Sequence, residues 1–341
     1  MINFFPDPIL AIETSCDETS AAVLHGRKVL SNIVNSQVSL HEKWGGVVPE
    51  MAARVHVEAI LPVIDEALSA LGLELSQIKG IAVTNRPGLV GSLSIGVCAA
   101  KALAMSLQVP LVGVHHLEGH ILSVLADLGQ CPLFVQDQFP HLCLMVSGGH
   151  TELVEVLEPC SYRLLGQTLD DAAGEAFDKS ARLMGLGSLG GKAIQEESAG
   201  GDPARYPLPR ALLKDPYHFS FSGLKTAVLR LVEEQGDRIA VRDLAASVQE
   251  AVAGVLAQKA LQVAKEQKTK VLTLVGGVAA NQRLRELLLT GCKEQNIAFY
   301  TPPFTLCTDN AAMIGIAGSV RLAKGERDGY SMDTLANAPL P

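Results

Sequence analysis

The sequence predicts an α/β chain made of two units with the same βββαβα element order, facing each other across a cleft, with a helical insertion in the second. Three observations predict it. Short β-branched or apolar runs alternate with stretches of helical apolar spacing in the same order twice along the 341 residues. Polar or glycine-rich loops leave strands at matching places: Thr14-Ser15-Cys16-Asp17-Glu18-Thr19, Ser147-Gly148-Gly149-His150-Thr151 and Gly276-Gly277-Val278-Ala279-Ala280-Asn281. Between the two passes, residues 128–140, with Gly129, Pro132 and Pro140, have linker composition. At about 100–200 residues per domain the length suits two domains, and 48% hydrophobic content is enough for a core in each.

The first pass opens with a strand at 9–13, followed by a hairpin whose strands, 20–24 and 28–35, flank the turn His25-Gly26. Residues 50–71 place Ile60, Ile64, Leu68 and Leu71 at helical spacing. Strands at 80–84 and 111–114 follow, separated by a helix at 89–107, and an apolar helical run at 121–125 closes the pass. The second pass places strands at 141–146, 151–157 and 162–167, a helix at 172–186, a strand at 271–276, a helix at 281–293, a strand at 297–300 and a helix at 309–322. A helical insertion at 224–267, with Leu244, Val248, Val252 and Val255 on one face, interrupts it. The expected domains are 1–127 and 138–325, the latter with the insertion at about 205–268, and a tail at 326–341.

Lys and Arg total 28 against 36 Asp and Glu, so the net charge is −8 with no block of like charge. That argues against nonspecific coating of nucleic acid and leaves a substrate RNA open through a local patch. Seven scattered cysteines, odd in number and never spaced C-x-x-C, suit a reducing cytoplasm. The start lacks a basic segment before its apolar residues and no uncharged apolar run reaches 18 residues, so neither export nor a membrane is expected.

Glycine lets backbone N–H groups approach phosphate oxygens, and small hydroxyls add donors. One Gly-Gly turn is commonly just a hairpin; three such loops after strands favour a nucleotide phosphate. The segment Val114-His115-His116-Leu117-Glu118-Gly119-His120 puts His116 and His120 four apart, on one helix face, a spacing that suits a divalent metal once a third ligand is found. Histidines so spaced are otherwise ordinary surface or core residues. A zinc protease would carry H-E-x-x-H, whereas Glu118 lies two residues after His116, about 200° around the helix, and cannot be that general base. Thr308-Asp309-Asn310 opens the last helix, where Asp309 either caps it or completes the metal site from the second domain, so that the ion would bridge both domains. Asp17 and Glu18 are either solvated turn carboxylates or groups that orient an amine or accept a proton. Asp178 is either an exposed helix residue or the partner of a ribose hydroxyl. Arg205, Arg210, Lys214, Lys225 and Arg230, interleaved with Tyr206, Tyr217, Phe219 and Phe221, suit RNA or, equally, a loop whose aromatics pack on the insertion.

Together with Ile12-Glu13-Thr14-Ser15-Cys16-Asp17-Glu18-Thr19, Gly45-Gly46-Val47-Val48-Pro49-Glu50, Val146-Ser147-Gly148-Gly149-His150-Thr151 and Phe219-Ser220-Phe221-Ser222-Gly223-Leu224-Lys225, these motifs make the chain resemble, nearly end to end, the tRNA N6-adenosine threonylcarbamoyltransferases (TsaD family), formerly labelled glycoproteases. The resemblance implies the actin-like ATPase (ASKHA) fold and transfer of a threonylcarbamoyl group from threonylcarbamoyl-AMP to the exocyclic amine of adenosine 37 in tRNAs reading ANN codons. It implies metal ligands at His116, His120 and Asp309 holding one divalent ion per subunit, Fe2+ by the usual family assignment with Zn2+ as the alternative. It implies substrate contacts at Met145, Val146, Ser147, Gly148, Gly149, Asp178, Gly191 and Asn281, and a catalytic role for Asp17. Expected partners are tRNA, a TsaB-like paralogue and a TsaE-like small ATPase. The sequence departs from the family at Asn85-Arg86-Pro87-Gly88, where Arg86 stands in place of the first glycine of Gly-Pro-Gly. A small-molecule kinase of the same fold is the rival class, since a fold does not select a chemistry. Should the transferase reading hold, Glu118→Ala is expected to leave turnover largely intact.

Overall fold

The structure, a computed structural model, describes residues 2–128, 138–187, 190–211 and 215–341, so most of the expected linker and Lys214 lie outside the described residues. The chain divides into two compact units: Met1–Asp137, Glu158–Tyr162 and Thr308–Pro341 form the first, and Gln138–Leu157 and Arg163–Cys307 the second.

In the first unit, β1 (Pro8–Glu13), β2 (Glu18–His25), β3 (Lys28–Ser36), β4 (Gly80–Arg86) and β5 (Leu111–His115) form one sheet in the order β3-β2-β1-β4-β5. The hairpin pairs are antiparallel, while β1 pairs parallel with β4 and β4 with β5. β1 is buried from Ile9 to Glu13, the continuous apolar run of a strand covered on both faces, and it ends on a carboxylate. After the single turn α1 (Val38–His41), α2 (Pro49–Ser69) starts with Pro49 in its first turn, where the missing N–H costs nothing. It buries Ile60, Ile64 and Leu68 in the same core as Leu10, Ile12, Ile81 and Val83 of the sheet. α3 (Val90–Leu107) buries Leu93, Val97, Ala100 and Ala104, one stripe of the 3.6-residue period. It is long and apolar enough to cross a membrane by length and composition, yet carries Lys101, whose Nζ donates to the Met332 carbonyl at 2.5 Å. α4 (His116–Leu122) follows β5 without a loop.

In the second unit β6 (His141–Val146), β7 (Thr151–Glu158), β8 (Ser161–Gln167), β9 (Val271–Val275) and β10 (Ala298–Tyr300) form a sheet in the order β10-β9-β6-β7-β8. β6 is antiparallel to β7 and parallel to β9, so the two sheets have the same topology strand for strand. Helices α5 (Ala173–Leu183), α6 (Gly190–Glu197), α7 (Ser222–Gln235), α8 (Val241–Glu266) and α9 (Gln282–Glu294) complete this unit. The insertion expected as one run is two helices, because Gly236 at φ +51° ends α7 in a backbone conformation that favours glycine. α6, which opens on two glycines, carried no helical signal in the sequence.

The last helix, α10 (Ala311–Ala323), and the tail depart from the expected boundary at 325: residues 308–341 belong to the first unit. The reason is packing. α10 is buried on nearly every side, and a Cβ on Gly318 would stand 2.3 Å from that of Ala82 in β4, so only glycine lets the helix lie this close to the sheet.

Candidate metal centre

At the β5–α4 junction His115 caps the helix, its Nδ1 accepting from Leu117 N (3.2 Å) while Nε2 faces the Ala338 carbonyl (3.1 Å). The helix then brings His116 and His120 side by side, ring centroids 4.8 Å apart and nearly perpendicular at 88°. Across from them, the cap of α10 is Asn310, whose Oδ1 accepts from Met313 N at 3.0 Å. Asp309 is therefore not the cap of α10. Its Oδ1 lies 3.1 Å from His120 Nε2 and 3.6 Å from His116 Nε2. All three residues belong to the first unit, which corrects the expectation that Asp309 comes from the other domain. The donor atoms lie within 4.8 Å of one another. Two imidazoles and one carboxylate with further positions open form a donor set that fits Fe2+ or Zn2+.

Two carboxylates beside the histidines do different work. Glu13, at the end of β1 and fully buried, accepts from Ser15 N (2.5 Å) and the Thr84 hydroxyl and lies 3.3 Å from His116 Nδ1, which Ser15 Oγ also approaches at 3.1 Å. Burial opposes its charge, but His116 and these hydrogen bonds hold its carboxyl below the usual range. Burial likewise opposes a charge on His116, and Asp309 with Glu13 nevertheless push it up to about 9. Glu13 touches this cluster, and the sequence motifs alone do not single it out. Its signal was there, a carboxylate closing an otherwise apolar, fully buried strand. Glu118, fully buried, instead accepts both Arg321 Nε (2.7 Å) and Nη2 (3.0 Å) and the Tyr162 hydroxyl (3.0 Å). With its lone pairs so engaged it serves no hydrolytic water, in line with the spacing argument against a protease. Arg86, half-buried at the end of β4, donates to Asn85 Oδ1 at 2.6 Å and shares the field of Arg321 and Glu118.

Asp17 is half-buried in the loop between β1 and β2, where its backbone carbonyl accepts from Gln37 N (3.0 Å). Its neighbour Glu18 is pushed up to about 9 by burial and by the Asp309 and Asp17 carboxylates.

In the second unit Met145 and Val146 are buried at the end of β6, and Ser147 to Gly149 form the turn into β7. Ser147 N donates to the His150 carbonyl (2.8 Å), so the exposed Gly148 and Gly149 are the backbone this loop presents. A Cβ on Gly276 would meet the Val146 carbonyl at 2.4 Å and one on Gly174 the Ser147 carbonyl at 2.6 Å, which brings the second glycine loop and the start of α5 against it. Asp178 of α5, its carboxyl raised by burial, accepts from Gly190 N at 3.0 Å, next to Gly191. Asn281 caps α9 through Leu284 N (2.9 Å) and donates to Gln249 Oε1 (3.0 Å). Tyr206, Phe219 and Phe221 are core residues, so the packing alternative holds for the aromatics of the basic segment.

Among solved structures the chain resembles HypF from T. kodakarensis, with a TM-score of 0.61 at 14% identity over 94% of this chain and 48% of that one. It also resembles the activator of the 2-hydroxyisocaproyl-CoA dehydratase from Clostridium difficile, with a TM-score of 0.52 at 12% identity over 93% and 96% of the two chains. These likenesses, with the doubled sheet topology, define the class: the actin-like ATPase (ASKHA) fold, as the sequence predicts. The family model described as TsaD, tRNA N6-adenosine threonylcarbamoyltransferase, matches residues 28–316. Proteins of that name are 48% identical over 97% of this chain and 96% of the relative in Syntrophotalea carbinolica, and 51% identical over 95% and 97% in Anaeromyxobacter dehalogenans strain 2CP-C. The chain belongs to the tRNA N6-adenosine threonylcarbamoyltransferase family.

Proposed function

We propose that this chain transfers the threonylcarbamoyl group of threonylcarbamoyl-AMP to N6 of adenosine 37 in tRNAs reading ANN codons. The observation that carries the reading is its near-full-length identity, about half of all positions, to transferases of that name. The reaction forms a bond from N6 to the carbamoyl carbon, breaks the bond from that carbon to the phosphate oxygen, and releases AMP. A mixed anhydride is already activated, so positioning and charge handling suffice. His116, His120 and Asp309 would hold one divalent ion, Fe2+ favoured and Zn2+ the alternative, which when bound supplies electrostatic stabilisation to phosphate or carbamoyl oxygens. Gly148 and Gly149 offer backbone N–H groups to the adenylate, with Met145, Val146 and Ser147 shaping that loop and Asp178, Gly191 and Asn281 the nucleoside side. Asp17 orients the incoming amine or accepts its proton. A TsaB-like paralogue and a TsaE-like ATPase are the proposed protein partners, and the cytoplasm the compartment.

The test is mass spectrometry of tRNA nucleosides after incubation with threonylcarbamoyl-AMP, unmodified tRNA and those partners. Modified adenosine should form with the parent, and His116→Ala, His120→Ala and Asp309→Ala should each lose metal and modification together with little change in thermal unfolding. A His120→Ala protein with full metal and full modification overturns the site assignment.

A further inference from the structure

We propose that Glu13 is the positioning residue of the metal centre: its carboxylate holds His116 in the one tautomer and orientation that turns Nε2 toward Asp309. The inference rests on the metal reading above and goes beyond it by naming what pre-organises a ligand. Both carboxylate oxygens of Glu13 are anchored from the protein side, Oε1 by Ser15 N at 2.5 Å and Oε2 by the Thr84 hydroxyl. These donors come from the adjoining loop and from β4, the strand paired with β1, so the carboxylate cannot rotate without breaking them. The remaining capacity of Oε2 points at His116 Nδ1, 3.3 Å away. A carboxylate anchored in this way accepts from Nδ1, so Nδ1 keeps its proton and Nε2 is the nitrogen of His116 that gives one up to offer its lone pair to a metal ion. His120 has no such support: its Nδ1 is buried and meets no partner among the described residues. The two histidines are therefore unequal, and the ring that lies farther from Asp309 is the one the fold holds in place.

A residue buried for structure alone would change folding without changing a bound ion, and that difference sets the experiment. Metal-free parent protein and Glu13→Gln, which keeps the side-chain shape, are titrated with Zn2+ against a competing chelator, and their Co2+ absorption spectra are recorded. Glu13→Gln should fold, bind Zn2+ roughly 10- to 100-fold more weakly and shift the Co2+ bands. Parent-like affinity and spectrum in a folded Glu13→Gln overturn the inference while leaving the metal reading intact. A parent that binds neither ion overturns both. Should Glu13→Gln not fold, nitrogen-15 NMR of the Zn2+-loaded parent decides: a proton on Nδ1 of His116 with Nε2 bound supports the inference, and the reverse tautomer overturns it.

Discussion

Glu118 lies between His116 and His120 in the sequence, yet its carboxylate turns to the frame of the unit and not to their rings. Its bidentate pair with Arg321 ties α4 to α10 and the Tyr162 hydroxyl ties it to β8, while Gly119 keeps the approach of α10 open, since a Cβ there would stand 2.7 Å from Ile314 Cδ1. Burial works against the Arg321 charge, and Glu118 more than offsets it. Removing one partner of such a pair strands the other's charge in the interior, at a cost of about 3–5 kcal/mol. Glu118→Ala should therefore unfold at much lower denaturant or temperature than the parent. Its turnover per folded molecule, measured well below the unfolding midpoint, should stay close to that of the parent, so the activity control survives only with that correction. A parent-like melting temperature would show that the pair contributes little.

At the scale of elements, caps and strand ends decide where chemistry can sit. Asn281 and Asn310 open α9 and α10 in the same way, each accepting an amide three residues on, at 2.9 and 3.0 Å. In α10 this leaves the preceding Asp309 facing the histidines; in α9 it occupies the Asn281 side-chain carbonyl, while the amide donates to Gln249 Oε1. Strand β7 carries a different strain: burial pushes the Glu152 carboxyl up to about 7 from its usual 4.5. The folded state thus holds this proton more tightly than the unfolded chain, so the contribution to stability is fully present below pH 4.5 and is lost as the pH rises through about 7. A shift of this size corresponds to about 3 kcal/mol above pH 8, an upper figure because solvent reaches part of the side chain. Glu152→Gln should raise stability at pH 8 and leave it nearly unchanged at pH 4.5, read from urea midpoints at both pH values. An equal change at both would remove titration as the cause.

Over the whole chain, the residues expected to trail as a tail are part of the first unit. Met332 is buried in its core, Leu335 N donates to the Asn85 carbonyl (3.1 Å), Gly88 N to the Ala336 carbonyl (3.2 Å), and Gly113 N to Asp328 Oδ2 (2.7 Å). His115 at the end of β5, one residue before His116, meets the tail as well, through the Ala338 carbonyl at 3.1 Å. Met332→Ala should cost about 2–5 kcal/mol, the range for emptying a buried methionine site. Removing residues 326–341 should cost more, because polar groups of β5 and the loop after β4 then lose partners as well. Thermal unfolding of both variants checks this, and a truncated protein as stable as the parent would show the tail to be unattached.

Apart from α1, α6 and the break between α7 and α8, the sequence by itself determined the order of the elements and its doubling, the three strand-end loops and the placing of His116 and His120 on one helix face. All of these follow from local periodicity and from spacing within a few residues, which the chain carries without reference to distant parts. Glu118 could be set aside from helical angles alone for the same reason. Tertiary structure decided the rest. That Asp309 meets the histidines through Nε2 and that α10 packs on β1 and β4 depend on residues nearly two hundred positions or more apart being brought into contact. The importance of Glu13 belongs there too. A lone glutamate at a strand end acquires its meaning only when the Thr84 hydroxyl, the Ser15 amide and His116 enclose it in a space from which water is shut out, because there a carboxylate must be hydrogen-bonded on every side to remain charged.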